Sequence, residues 1–223
     1  MPQTIILGTG RALPERVVTN DDLAGLMDTS DEWIRTRTGI EQRHWVREGD
    51  TGKELGRRAS VEALAMAGLE PSDLDAIVYA TSTPDHFAPG NGVFLQRDLG
   101  AGQIPAIDIR TQCSGFIYGL SIADAYIRTG MFRHVLVVGQ EIQSTRMDVS
   151  TEGRHTAVIF ADGAGAVVAG ATDDPTRGIL GFDLHGDGAY AEKLWADGPG
   201  AAHHPPVSLQ AQEEGRYWLV MDG

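Results

Sequence analysis

The chain has one cysteine, Cys113, and it stands where a thiol can do chemistry. It follows the apolar, β-branched run Ile104–Ile109 and a short polar turn. Beyond it Phe116, Leu120, Ala123, Tyr126 and Ile127 recur with helical spacing. That pattern predicts a buried strand handing over to a helix that starts at Cys113 and runs to Thr129. The first amides of a helix lack intrahelical partners, and the macrodipole places partial positive charge there. A thiol at such a point ionises more readily and attacks electrophilic carbon. A free cysteine is more often a small buried hydrophobe, and position alone leaves both readings open.

Other chemistry-bearing residues are less informative on their own. Arg35, Arg37 and Arg43 lie close together and form either a local basic site or part of a solvated face. His203-His204 precede Pro205-Pro206 in what reads as loop, and no Cys or His spacing resembles a zinc site, so no metal is expected. A cysteine nucleophile commonly needs a base, but nothing in the spacing of the seven histidines selects one. Gly8-x-Gly10 follows a strand pattern, yet Leu13 stands where a dinucleotide fingerprint needs its third glycine, and Pro14 lies in the would-be helix. Gly163-x-Gly165 lies between predicted strands. No Gly-x-Ser-x-Gly elbow is present.

The elements that must position Cys113 read as alternating strands and helices. Strands are predicted over Thr4–Leu7, Asp75–Ala80, Ile104–Ile109, Val135–Gly139 and Gly178–Leu184. Thr156–Phe160 and Gly165–Ala169 read as a hairpin around Ala161-Asp162-Gly163-Ala164. Helix caps are read at Thr19 and at Thr29-Ser30, and Thr51–Ala67 reads as an amphipathic helix that Gly68 closes. Gly92–Leu99 reads as a short helix, residues 188–206 as loop and Trp218–Met221 as a last strand. Such alternation predicts an α/β fold with helices on both faces of a mixed sheet. The 223 residues are 42% hydrophobic and 22% charged, which suits a protein with a real core. A net charge of −13 argues against nonspecific nucleic-acid binding. One cysteine fits a reducing compartment, and neither a secretory signal nor a bilayer-spanning run is read, so the expected location is cytoplasmic, with no membrane partner.

Four ordered motifs resemble one family. They are Asp28-Thr29-Ser30-Asp31-Glu32-Trp33-Ile34, Thr36-Arg37-Thr38-Gly39-Ile40, Cys113-Ser114-Gly115-Phe116 and Phe160-Ala161-Asp162-Gly163-Ala164-Gly165-Ala166. Together they are similar to β-ketoacyl-acyl-carrier-protein synthase III, a condensing enzyme of thiolase-like fold with a mixed five-stranded sheet. The resemblance implies that Cys113 takes an acyl group from a short acyl-coenzyme A. Malonyl-acyl carrier protein then loses carbon dioxide and attacks, giving 3-oxoacyl-acyl carrier protein at the start of fatty acid biosynthesis. Coenzyme A enters as a thioester substrate, and no cofactor is implied. By matched position, Trp33 and Arg154 are expected to sandwich the adenine, and Thr29 and Arg37 to contact phosphates. Phe87 is expected to cross a homodimer interface and close the partner's acyl pocket, and Met221 and Gly223 to line a pocket. Thr111-Gln112 stand where common members carry small apolar residues. That departure leaves room for a secondary-metabolism ketosynthase using another primer; a non-catalytic companion subunit is a further alternative. The family has a second, homologous half that supplies a His and two Asn for decarboxylation. Residues 1–172 resemble the N-terminal half, and 173–223 a connecting segment and the start of the C-terminal half. The fold therefore reads as truncated before its second half is complete, and the rest is expected from a longer polypeptide or a partner. Small residues at Gly115, Gly119, Ser121, Ala123 and Ala125 are expected to allow close packing of the Cys113 helix.

Overall fold

The computed structural model describes residues 2–222. In chain order the strands are β1 (Gln3–Ala12), β2 (Arg16–Thr19), β3 (Gln42–Trp45), β4 (Ala76–Ala80), β5 (Ala106–Ile109), β6 (His134–Ile142), β7 (Asp162–Thr172), β8 (Leu194–Trp195) and β9 (Val220–Met221). The α-helices are α1 (Asn20–Ala24), α2 (Asp31–Thr38), α3 (Gly52–Ala67), α4 (Asn91–Leu99), α5 (Gly115–Arg128), α6 (Arg154–Ala157) and α7 (Leu209–Glu213). The chain forms two compact units with interleaved segments. One takes residues 2–14, 46–141 and 162–184; the other takes 15–45, 142–161 and 185–222.

The first unit is built on a five-stranded sheet in the order β1-β7-β6-β4-β5. β1 and β7 are antiparallel, while β4 runs parallel to both β5 and β6, so the sheet is mixed as the sequence predicts. β4 is buried throughout, as is Val135–Val138 of β6, because both faces of the sheet are covered. Alternation along β4 shows how. Val78 packs with Val137 against Ala123 and Ile127 of α5. Tyr79, one residue on, points the other way, and its hydroxyl donates to the carbonyl of Gly52 at the head of α3 at 3.2 Å. The approach of α5 depends on Gly119, where a Cβ would lie 2.9 Å from Val137 Cγ1. Of the expected small-residue set, Gly115, Gly119 and Ala123 are buried, but Ser121 is only half-buried and Ala125 is exposed.

Several element readings need correction. Strand β1 runs on through Gly8-Thr9-Gly10, which pair with β7. Those glycines serve helix packing, since a Cβ at either would collide with the Ala63 or Ala59 carbonyl of α3. β5 is shorter than Ile104–Ile109 and only partly buried, because it is an edge of the sheet. The predicted hairpin does not exist. Residues 156–160 end α6 with helical bonds such as Phe160 N–H to Thr156 O at 3.1 Å, and Asp162 already opens the single strand β7. Residues 178–184 form no strand. Gly178 has φ +139°, one bond joins Ile179 N–H to Thr4 O, and Leu180 points into solvent.

The second unit pairs β2 with β3, antiparallel from Arg16↔Trp45 to Thr19↔Gln42. Val18, Leu23, Met27, Ile34, Trp45, Met147, Ala157 and Val158 form its core. Thr19 caps α1 in a reciprocal capping box, and Ser30 caps α2 by accepting from Trp33 N–H. The predicted strand Trp218–Met221 shrinks to β9. It pairs with β8, which lies inside the stretch read as loop.

Candidate active site

Cys113 is exposed. It sits on a 3-10 turn, Gln112–Ser114, between β5 and α5, so the helix begins at Gly115 and not at the cysteine as the periodicity predicts. Three features hold the turn. Gly115 N–H donates to the Gln112 carbonyl. Ser114 Oγ donates to the Thr111 carbonyl at 2.7 Å. Gly115 itself is buried, and a Cβ there would lie 3.1 Å from Ala80 Cβ at the end of β4. Gln112 has φ +49°, alone among the described non-glycine residues in that region, so the backbone is strained immediately before the thiol. Thr111 Oγ1 is buried without a hydrogen-bond partner. The geometry presents a thiol outward from a rigid turn, and an electrophile can reach it.

Within the second unit, Trp33 projects from α2. The guanidinium carbon of Arg37, one turn on, lies 4.4 Å from the ring centre, and that of Arg154 from α6 lies 4.7 Å away. His155 meets the same ring edge-on at 6.4 Å. Arg154 Nη1 donates to the Asp28 carbonyl at 2.7 Å. Arg154 Nε and Thr29 Oγ1 are buried without hydrogen-bond partners, and such groups have capacity for further bonds. The structure thus brings Arg37 and Arg154 onto the Trp33 ring, with Thr29 next to the Asp28 peptide that holds Arg154.

The reading of Arg35, Arg37 and Arg43 as one basic site is corrected. Arg43 is buried, with its guanidinium donating to the carbonyls of Val18 and Val158, and burial lowers its pKa. Arg35 pairs with Glu41 at 2.9 Å and Asp31 at 3.9 Å. Only Arg37 of the three belongs with the Trp33 ring.

Phe87 is 99% exposed, on the segment between β4 and α4. Acidic residues that the sequence did not single out hold that segment. The Asp85 carboxylate accepts from Gly52 and Lys53 N–H at 2.7 and 2.8 Å, capping α3. Glu141 accepts from Ser82 N–H, Ser82 Oγ and Thr83 Oγ1. Asp108 of β5 accepts from Gly92 N–H, capping α4 in place of Gly90. Met221 is half-buried on β9. Gly223 lies outside the described residues. Among the described residues no group of three or more His, Cys, Asp and Glu is placed to hold a metal ion, and no helix is long and apolar enough to cross a membrane.

A cysteine on a strained turn between a strand of a mixed five-stranded sheet and a helix packed on that sheet fits the thiolase-like fold that the resemblance implies. Residues 107–188 match the family model for 3-oxoacyl-[acyl-carrier-protein (ACP)] synthase III. The β-ketoacyl-[acyl-carrier-protein] synthase III of Brucella suis is 47% identical over 204 residues, which cover 89% of this chain and 62% of that protein. The crystal structure of 3-oxoacyl-[acyl-carrier-protein] synthase III from Aquifex aeolicus VF5 superposes with a TM-score of 0.86 at 39% identity, covering 100% of this chain and 65% of that one. The priming β-ketosynthase of the R1128 polyketide pathway gives 0.84 at 32%, covering 99% and 64%. Over most of its length the chain is similar to members of the β-ketoacyl-acyl-carrier-protein synthase III family. It spans 62% of the length of the Brucella suis relative.

Proposed function

We propose that this chain is the nucleophile-bearing part of a condensing acyltransferase that joins a short acyl-coenzyme A primer to malonyl-acyl carrier protein and so initiates fatty acid biosynthesis. The observation that carries the reading is the outward-facing Cys113 on its strained turn at the head of α5. The Cys113 thiolate attacks the thioester carbonyl and forms a carbon–sulfur bond, and the backbone N–H of Cys113 donates to the developing oxyanion. Collapse breaks the bond to the coenzyme A sulfur, which leaves as a thiolate and takes a proton from water. Malonyl-acyl carrier protein then loses carbon dioxide. The electron pair left on its α-carbon attacks the acyl-cysteine, and the Cys113 thiolate departs from the 3-oxoacyl product.

Trp33 and Arg154 take the adenine between an indole and a guanidinium, and Arg37 and Thr29 meet the phosphates. The two partnerless buried groups, Thr29 Oγ1 and Arg154 Nε, support this reading. The coenzyme A thioester is substrate, and the reaction as written uses no metal or resident cofactor. Phe87 reaches a second copy in a homodimer, Met221 borders the acyl pocket, and the enzyme works in the cytoplasm. A second reading, a ketosynthase that primes a secondary-metabolite pathway, is favoured by Thr111-Gln112 before the nucleophile and by the likeness to the R1128 priming enzyme.

The test is mass spectrometry of the purified chain after exposure to acetyl- and longer acyl-coenzyme A. One acyl group is expected on Cys113 and none on Cys113→Ser; the chain length taken up best separates the two readings. The residues 1–223 are expected to release no carbon dioxide from a malonyl thioester, since the family resemblance assigns the decarboxylating His and Asn to the second half. Absence of any Cys113 adduct overturns the transferase reading.

A further inference from the structure

We infer that Thr151 is a positioning residue for the adenine grip, acting through the Asp28 peptide on the guanidinium of Arg154; the inference rests on the coenzyme A reading above. The contacts form a direct relay. Asp28 N–H donates to Thr151 Oγ1 at 2.9 Å, and the carbonyl of the same Asp28 accepts from Arg154 Nη1 at 2.7 Å. Both bonds use the backbone of Asp28, so Thr151 supplies the side chain through which this relay can be altered.

The segment carrying Thr151 and Arg154 is folded tightly enough to transmit such a constraint. Ser150 N–H donates to Asp148 Oδ1 at 2.8 Å, and Arg154 N–H donates to the Thr151 carbonyl at 3.4 Å. A Cβ on Gly153 would collide with the Asp148 carbonyl, which keeps the turn against itself. Thr151 therefore fastens the turn to the peptide that the guanidinium grips, and Arg154 is presented to Trp33 from a fixed base.

The physical consequence lies in binding. An arginine free to sample its rotamers must be ordered when it closes on a ligand, and that ordering weakens affinity. Arg154 rests 4.7 Å from the Trp33 ring centre, whereas a purine between two planar groups needs roughly 7 Å, twice a van der Waals separation. The guanidinium must therefore move outward to admit adenine, and its bond to the Asp28 carbonyl is the pivot for that movement. Loss of the Thr151 bond loosens the pivot. The effect falls on the nucleotide end of the substrate and leaves thioester attack by Cys113 unchanged.

The experiment measures single-turnover acylation of Cys113 by acetyl-coenzyme A and by S-acetylpantetheine, which lacks the nucleotide. Thr151→Val keeps the shape and removes the acceptor; Thr151→Ser keeps the acceptor. With acetyl-coenzyme A, Thr151→Val is expected to raise the half-saturating concentration about three- to tenfold at an unchanged limiting rate, the range one hydrogen bond commands. Thr151→Ser restores the original value, and S-acetylpantetheine reacts alike with all three proteins. Equal half-saturation in Thr151→Val and the parent protein overturns the inference, as does a slowing of both thioesters together, which marks a general structural role. If the parent protein is acylated equally well by both thioesters, the adenine grip itself is wrong. If neither thioester acylates it, the transferase reading falls.

Discussion

Arg43 is 4% exposed, and its guanidinium donates to Val18 O at 3.3 Å and Val158 O at 3.1 Å. Arg37, on α2 shortly before it, is exposed and lies over the Trp33 ring. A sequence offers two arginines near each other and no means to tell them apart, because burial is set by partners such as Val158, distant in the chain. Cys113 was legible for the opposite reason. Its setting between an apolar run and a helical period is local, although the strained Gln112 that aims it was not. The pairing of Trp33 with Arg154 was suggested only through family motifs, since the two come from distant segments. The two arginines make a prediction at this scale. Arg43→Ala leaves two carbonyls without their donor and opens a void, and is expected to lower unfolding free energy by about 2–4 kcal/mol in urea titration. Arg37→Ala, losing one exposed ring contact, is expected to stay within about 1 kcal/mol of the parent. Equal urea midpoints for Arg43→Ala and the parent would refute a structural role for Arg43.

Helix ends divide by how far away their partners lie. Thr19, Ser30 and Thr51 cap the helices they begin, and Gly68 closes α3 in the left-handed region, all readable within a few residues. The carboxylates of Asp85 and Asp108 cap α3 and α4 from other elements, and no local pattern announces them. The false hairpin at residues 156–169 shows the same limit. Gly163 and Gly165 look like turn residues, yet β7 runs straight through them because β1 lies alongside to pair. Asp108 yields a pH prediction. Removal of water around its carboxyl raises the pKa above 3.8, against the opposing pull of the Gly92 and Asn91 N–H groups. A raised pKa in the folded state means that this group's stabilising contribution is complete below the ordinary carboxylate pKa. It is lost as pH rises through the higher folded value. Asp108→Asn keeps an acceptor for Gly92 N–H and removes the titration. Between about pH 4 and about pH 7 its urea midpoint should therefore fall less with rising pH than that of the parent. Parallel pH profiles for the two proteins would show that Asp108 does not titrate differently on folding.

For the whole molecule, alternating strands and helices predicted an α/β fold and a mixed sheet, and both hold. Strand order was beyond that reading, because which strands end up as edges depends on pairings between segments far apart, such as β1 with β7. The two interleaved units were equally hidden, since each draws on three separate stretches of chain. One surface feature bears on assembly. Phe87 is 99% exposed, and the segment around it is clamped by Asp85 to α3 and by Glu141 through Ser82 and Thr83. A large apolar side chain presented from a pinned segment loses little entropy on docking. Burying it is worth about 1.5–3 kcal/mol per copy. The proposed homodimer uses this side chain, so a charge there should oppose association. Phe87→Glu is expected to shift the mass measured by light scattering from dimer to monomer, while its circular dichroism spectrum stays that of the parent because Phe87 supports nothing within its own chain. A parent protein that is monomeric at tens of micromolar, or a Phe87→Glu variant that keeps the dimer mass, would remove Phe87 from any interface and leave its exposure without a role in assembly.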